Sequence, residues 1–345
     1  DAGAQPEDIV DAVVVGNTVE WGTPVLTMRA PEGTLFAVNA GPVAVTPPVE
    51  AEKRGSAEDV LPALQAPRPG PIAAHWLEMV SPRSHAAAAP ARIAFDWVEI
   101  PAGPFWMGSD KQKDEETSEH ELPQHRVTLG AYRISRAPVM VAQFAVFVQA
   151  TGYVTTAEKE GWSHVWTGSK WKQVKSASWR APRMPGSDVE QKGQHPVTCV
   201  SWMDALAFCA WAGVQIPSEA EWEKAARGAD GRIYPWGNEA PDQSRSNFNM
   251  NVKDMTAVGS YANGVSPYGA LNLAGNVWEW VSSEYRNYPY RSDDGREDQN
   301  STDVRILRGG SWGDEAMYVR SACRDGNVPD YRFVYDGFRV ASPGL

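Results

Sequence analysis

Cysteine is scarce: the 345 residues hold three, Cys199, Cys209 and Cys323. They cannot all pair with one another, and their spacing is not that of a thiolate metal site, so a disulfide scaffold and a zinc cluster are both excluded. Cys209, inside Ala205-Leu-Ala-Phe-Cys-Ala-Trp211, reads as a buried small hydrophobe. This usage favours a reducing compartment, and a cytoplasmic location is the expectation. Long apolar runs are also missing. None approaches the ~18 residues of a membrane span. The opening Asp1-Ala-Gly-Ala-Gln-Pro-Glu-Asp8 lacks the basic and apolar regions of a signal peptide. Positive charge is in deficit, with a net charge of −11, which argues against nucleic acid as a partner.

What is abundant is tryptophan, 15 residues, beside 30 Gly and 26 Pro. That mixture suggests a loop-rich fold whose irregular segments are pinned by large rings. Hydrophobic content of 42% and charged content of 22% fit a soluble globular chain with one large domain and a smaller one. A monomer is expected. In residues 1–50, Ala12-Val-Val-Val15, Val25-Leu-Thr-Met28, Thr34-Leu-Phe-Ala-Val38 and Val43-Ala-Val45 read as strands of a small β-rich unit. Residues 51–92, rich in Ala and Pro, read as a linker or arm. The main domain occupies 93–345. Phe95 to Ser109 reads as a hairpin, and Gln124 to Leu129 as a strand. Helices are expected over Met140–Ala150, with Val141, Phe144, Ala145 and Val148 on one face, and over Trp202–Trp211. A third starts at a Ser218/Glu221 capping box and stops at Gly228. The acidic Asp114-Glu-Glu116 run, and His120 and His125 near it, read as solvated.

Several motifs fall in order: Ile100-Pro-Ala-Gly-Pro-Phe-Trp-Met-Gly108, Pro196-Val197, Ser201-Trp202, Pro217-Ser-Glu-Ala-Glu-Trp-Glu-Lys-Ala-Ala-Arg-Gly228, Tyr234-Pro-Trp-Gly237, Asn272-Leu-Ala-Gly-Asn-Val-Trp-Glu-Trp280, Arg308-Gly-Gly-Ser-Trp312 and Gly337-Phe-Arg-Val340. Together they resemble the formylglycine-generating-enzyme (sulfatase-modifying-factor) family. The resemblance implies an α+β, loop-rich, C-type-lectin-like domain; a fold alone implies no chemistry.

The family enzyme uses a cysteine pair that binds copper just after Gly-Gly-Ser-Trp. Counted without gaps from Trp312, those positions are Asp314 and Val319 here, and neither supplies the sulfur that holds Cu(I). A related iron-dependent branch takes ligands from a His-x3-His-x-Glu spacing, which the six histidines do not show. The resemblance therefore points away from an enzyme and a catalytic cofactor. It also implies a structural calcium held by the Asn272 side chain, the Gly275 and Val277 carbonyls and Glu279, since hard cations want oxygen. The alternative is a capped turn with Glu279 salt-bridged to an arginine.

Over residues 305–340 the frame alternates with miscellaneous residues: Gly313, Asp314, Tyr318, Val319, Cys323, Asp325, Gly326, Asn327, Val328, Asp330, Tyr331, Phe333, Val334, Tyr335 and Asp336. This arrangement resembles the variable region of proteins diversified by retroelements. There, randomised adenines of template Asn codons leave codons ending in C, which cannot encode Trp, Met, Gln, Lys or Glu, and no gap residue belongs to that set. Tyr, Asp, Asn and Gly also make up an adaptable binding surface. The expectation is a non-catalytic binder of an unknown protein or other macromolecule through solvent-facing gap residues. A formylglycine-generating-enzyme-like oxidoreductase and an unspecified non-catalytic member of that family are the alternatives.

Overall fold

The computed structural model describes residues 25–29, 35–39, 93–183, 187, 189–190 and 192–343. The chain divides into two compact units, Asp1–Glu50 and Ala51–Leu345. In the first, β1 (Val25–Arg29) and β2 (Leu35–Asn39) form an antiparallel hairpin. The runs at 12–15 and 43–45 and the arm 51–92 lie outside the described residues.

The second unit begins with β3 (Trp97–Ile100) and β4 (Gly103–Met107). These do not form the expected hairpin. β4 pairs with β5 (His125–Leu129), and β3 pairs with β6 (Tyr132–Ser135). Gly103, at φ 130°, occupies backbone space that side-chain-bearing residues rarely enter, and the turn there sends β4 to a different sheet.

Helix α1 (Val141–Thr151) buries Val141, Phe144 and Val148 as the spacing predicts, and Gly152 ends it in the left-handed conformation. A short α2 (Thr156–Glu160) precedes a hairpin of β7 (Trp162–Trp166) and β8 (Trp171–Lys175). Helix α3 (Trp202–Ala212) starts at Ser201, whose hydroxyl accepts from Asp204 N. In α4 (Glu219–Arg227) the capping box forms as read: Ser218 N donates to Glu221 Oε2 at 2.7 Å, and Glu221 N donates to Ser218 Oγ at 3.2 Å. Such a cap contributes about 1 kcal/mol.

The remaining strands are β9 (Trp278–Glu284), β10 (Arg305–Arg308), β11 (Arg324–Asn327), β12 (Asp336–Phe338) and β13 (Ala341–Pro343). A four-stranded sheet has the order β11-β10-β9-β12, with β12 parallel to β9. A three-stranded sheet has the order β13-β6-β3. Helices α1 and α3 pack on the first through Phe144, Phe208 and Phe338, with Phe144 stacked on Phe208 at 5.8 Å. The tryptophans act as pins: Trp202 Nε1 donates to Val281 O at 2.9 Å and Trp280 Nε1 to Val200 O at 3.2 Å, tying α3 to β9. The fold is thus α+β, with short helices and much loop. Among the described residues no helix is long and apolar enough to cross a membrane.

Candidate functional site

The C-terminal frame is a set of buried arginines that bridge distant segments. Arg308 donates to Glu223 Oε2 at 2.5 Å and to the Ser321 and Ala322 carbonyls. Arg320 holds Glu121 and Asp114, and Arg324 holds Glu219 and the His120 carbonyl. Burial opposes the charge of Arg320, but Glu121 beside it outweighs that and holds the guanidinium above its ordinary value. Asp114 is therefore not the solvated residue expected. Nor is His125: its Nε2 accepts from Tyr290 N at 2.8 Å, and burial holds its pKa below the ordinary value.

Two glycines of Arg308-Gly-Gly-Ser-Trp312 fix the path that follows. A Cβ on Gly310, at φ 70°, would meet the Tyr318 carbonyl at 2.7 Å, and one on Gly309 would meet the Trp222 ring at 3.1 Å. The loop after Trp312 is thereby folded back on itself, and Asp314 lands under Trp278. Its Oδ2 accepts from Trp278 Nε1 at 2.8 Å, from Ser311 N at 2.9 Å and from Ser311 Oγ at 2.5 Å. This carboxylate is a strut of the loop.

Most of the other gap residues are interior, which corrects the expectation of a solvent-facing surface across all of them. Val319, Cys323, Asp325, Gly326, Phe333, Val334, Tyr335 and Asp336 are buried. Phe333 stacks between His164 at 4.8 Å and Tyr335 at 4.7 Å, and a Cβ on Gly326 would meet the Tyr285 ring at 2.5 Å. The cause is topological. Residues 333–338 run beside β7 and β9, through the middle of the domain, with Val334 N donating to His164 O. The unbroken apolar run Phe333-Val-Tyr335 was the available signal of a buried segment. Gly313, Asp314, Tyr318, Asn327, Val328 and Tyr331 are half-buried, and Asp330 is exposed.

Asn327 to Tyr331 form one tight turn. Val328 N donates to Asn327 Oδ1 at 3.0 Å, Tyr331 N to Val328 O at 3.0 Å, and Met203 N to the Pro329 carbonyl. Tyr331 leans on His164 at 5.2 Å, and Arg332 behind it donates to the Asp330 carbonyl and to Glu160. The neighbouring aromatic terrace of β7 and β8 went unread in the sequence. Trp171 lies 4.9 Å from Trp166, 5.3 Å from Phe333 and 6.1 Å from Trp312.

The donor set does not fit copper held by a thiolate pair. Asp314 offers hard oxygen already hydrogen-bonded, and Val319 offers no donor. Burial pushes the Cys199 thiol up to about 12, and pushes Cys209 and Cys323 further up, so none is a ready thiolate at neutral pH. Among the described residues no group of three His, Cys, Asp or Glu side chains could hold a metal ion. In the loop read for calcium, Asn272 Oδ1 accepts from Gly259 N at 3.3 Å, while Gly275 N donates to the Gly309 carbonyl and Val277 N to the Gly275 carbonyl. Glu279 meets an arginine: Arg339 donates to both its oxygens, at 2.5 and 2.8 Å, and Trp222 Nε1 donates at 2.6 Å.

The sulfatase-modifying factor enzyme 1-like domain matches residues 83–343. A formylglycine-generating enzyme of Thermomonospora curvata is 38% identical over 293 residues, spanning 74% of this chain and 96% of the relative. An inactive C-alpha-formylglycine-generating enzyme 2 of Bos taurus is 36% identical over 277 residues, 71% of this chain and 87% of the relative. Among solved structures, Treponema denticola variable protein 1 superposes with a TM-score of 0.54 at 19% identity, covering 74% of this chain and 98% of that one. The last likeness bears on fold alone and agrees with the C-type-lectin-like architecture. The expectation of a non-enzyme is overturned by the first: a relative this similar along nearly its whole length is a named enzyme.

Proposed function

The chain belongs to the sulfatase-modifying factor enzyme 1-like family, and on that premise we propose that it recognises a macromolecular ligand through the turn Asn327–Tyr331, with Tyr318 alongside as a second contact. The observation that carries this is the contrast within the C-terminal gaps. Five side chains among them, those of Tyr318, Asn327, Val328, Asp330 and Tyr331, keep some exposure without belonging to the buried struts. The turn among them is rigid before any ligand arrives, because Asn327, Pro329 and Arg332 anchor its backbone. Preorganisation of this kind favours binding by removing the cost of ordering a loop. Diversification by a retroelement then concerns these five positions, whose residue types all have codons ending in C.

Flanking DNA tests it. A near-copy of the codons for residues 305–340, with AAC at those five positions and a reverse-transcriptase gene beside it, is the expected finding. A flank with no such copy removes diversification. A second reading, oxidation of the bound molecule, is favoured by the named activity of the Thermomonospora curvata relative. With Asp314 and Val319 where the family's thiols stand, it requires a redox centre of another kind. Stoichiometric copper or iron in the purified protein, with oxygen uptake on adding a cysteine-containing peptide, would establish it.

A further inference from the structure

The surface charge of this acidic chain reverses sign at one place. Between residues 158 and 180, Lys159, Lys170, Lys172, Lys175 and Arg180 face only Glu158 and Glu160, a surplus of three positive charges in a chain of net −11. Lys170, Lys172 and Lys175 are exposed, and among the described residues none has an ion-pair partner. All three sit on or beside β8, which pairs with β7 from Trp166↔Trp171 to Trp162↔Lys175. On its other side, among the described residues, β8 has no neighbouring strand. Among the described residues no loop backbone hydrogen-bonds to Trp171 or Gln173 there either.

A strand edge of this kind carries unpaired amides and carbonyls in register for another strand. The inner strand β7 is held rigidly by the core, through buried Ser163, His164 and Val165 and the bridge from His164 to Phe333. We infer that β8 is a docking edge for an extended acidic peptide, which adds as a third strand to the β7–β8 hairpin. Its carboxylates meet Lys172 on one face and Lys175 on the other, because successive side chains of a strand alternate. Main-chain hydrogen bonds supply the pairing, and the lysines select the charge. This edge is distinct from the turn Asn327–Tyr331.

Edge lysines also deter self-pairing of strands, and the two roles separate by experiment. The probe is a fluorescein-labelled (Glu-Glu-Thr-Thr)2 peptide, whose paired glutamates present carboxylates on both faces of a strand, titrated into the full chain at low salt and followed by anisotropy. The controls are (Lys-Lys-Thr-Thr)2, which reverses the charge, and (Glu-Glu-Pro-Pro)2, which keeps the charge and removes amide donors from both edges of the strand. Saturable binding about tenfold tighter than either control is expected, weakening as salt rises. The combined Lys170→Ser, Lys172→Ser and Lys175→Ser variant should lose about tenfold, while Asp330→Ala with Tyr331→Ala leaves the affinity unchanged. No saturable binding, or equal binding of (Glu-Glu-Pro-Pro)2, overturns the docking edge and leaves the lysines as guards. Should the triple variant aggregate, the wild-type titrations decide alone.

Discussion

The C-terminal frame and the β7–β8 hairpin are both rich in cations, yet use them in opposite ways. In the frame, Arg308, Arg320, Arg324, Arg332 and Arg339 are buried, and each meets a carboxylate. In the hairpin, Lys170, Lys172 and Lys175 are exposed. The planar guanidinium can satisfy several acceptors at once in a dry interior, whereas a compact, strongly hydrated ammonium is cheaper to leave in water. The frame therefore holds the fold, and the hairpin is free to meet something else.

The largest effect should come from breaking the frame. Arg308→Met leaves Glu219 and Glu223 buried beside one cation fewer, and a loss of about 3–5 kcal/mol is expected in urea unfolding. A loss below 1 kcal/mol would show that the buried pairs set geometry without stabilising it. Next comes the interior part of the gap residues. Phe333→Ala should cost about 3 kcal/mol, as for other buried aromatic truncations. A neutral result there would return Phe333 to the surface.

A smaller effect is expected from pH. Burial holds His125 mainly neutral, with a folded pKa below that of the unfolded chain. A depressed pKa means its stabilising contribution is complete above ~6.5 and fades as pH falls through the folded value. His195, lowered by burial too, acts in the same direction. Thermal midpoints should therefore drop on acidification below ~6.5, and His125→Gln should flatten part of that slope. Smallest of all, Asp330→Ala should change stability by within about 0.5 kcal/mol, as surface substitutions do. A larger loss would make the turn part of the frame.

Helix ends and frame motifs were readable because their determinants are local. Ser218 and Glu221 lie three residues apart, and the Gly309–Gly310 pair carries its own conformational demand. The partners of the arginines were not readable. Arg320 reaches Glu121 across 199 residues, and Arg324 reaches Glu219 across 105. Only the folded topology brings such pairs together. The same topology hid the fate of the gaps: Asp330 and Phe333 are three residues apart, one at an exposed turn and the other buried at a bridge to His164. Composition suited to binding could not reveal which side of the sheet the chain would take. His125 escaped notice for a related reason, since its acceptor role depends on Tyr290, 165 residues away.

Strands β12 and β13 come last in the described chain, yet one closes against β9 and the other against β6. During synthesis the four-stranded sheet cannot be completed until residue 338 has left the ribosome, nor the three-stranded sheet until residue 343 has. A product interrupted before residue 336 would expose the apolar faces of α1 and α3, and so be open to proteolysis. The same ordering acts on variation. A substitution between residues 333 and 340 is screened by folding before any ligand meets it, while one at Asp330 passes that screen and is judged by the partner alone.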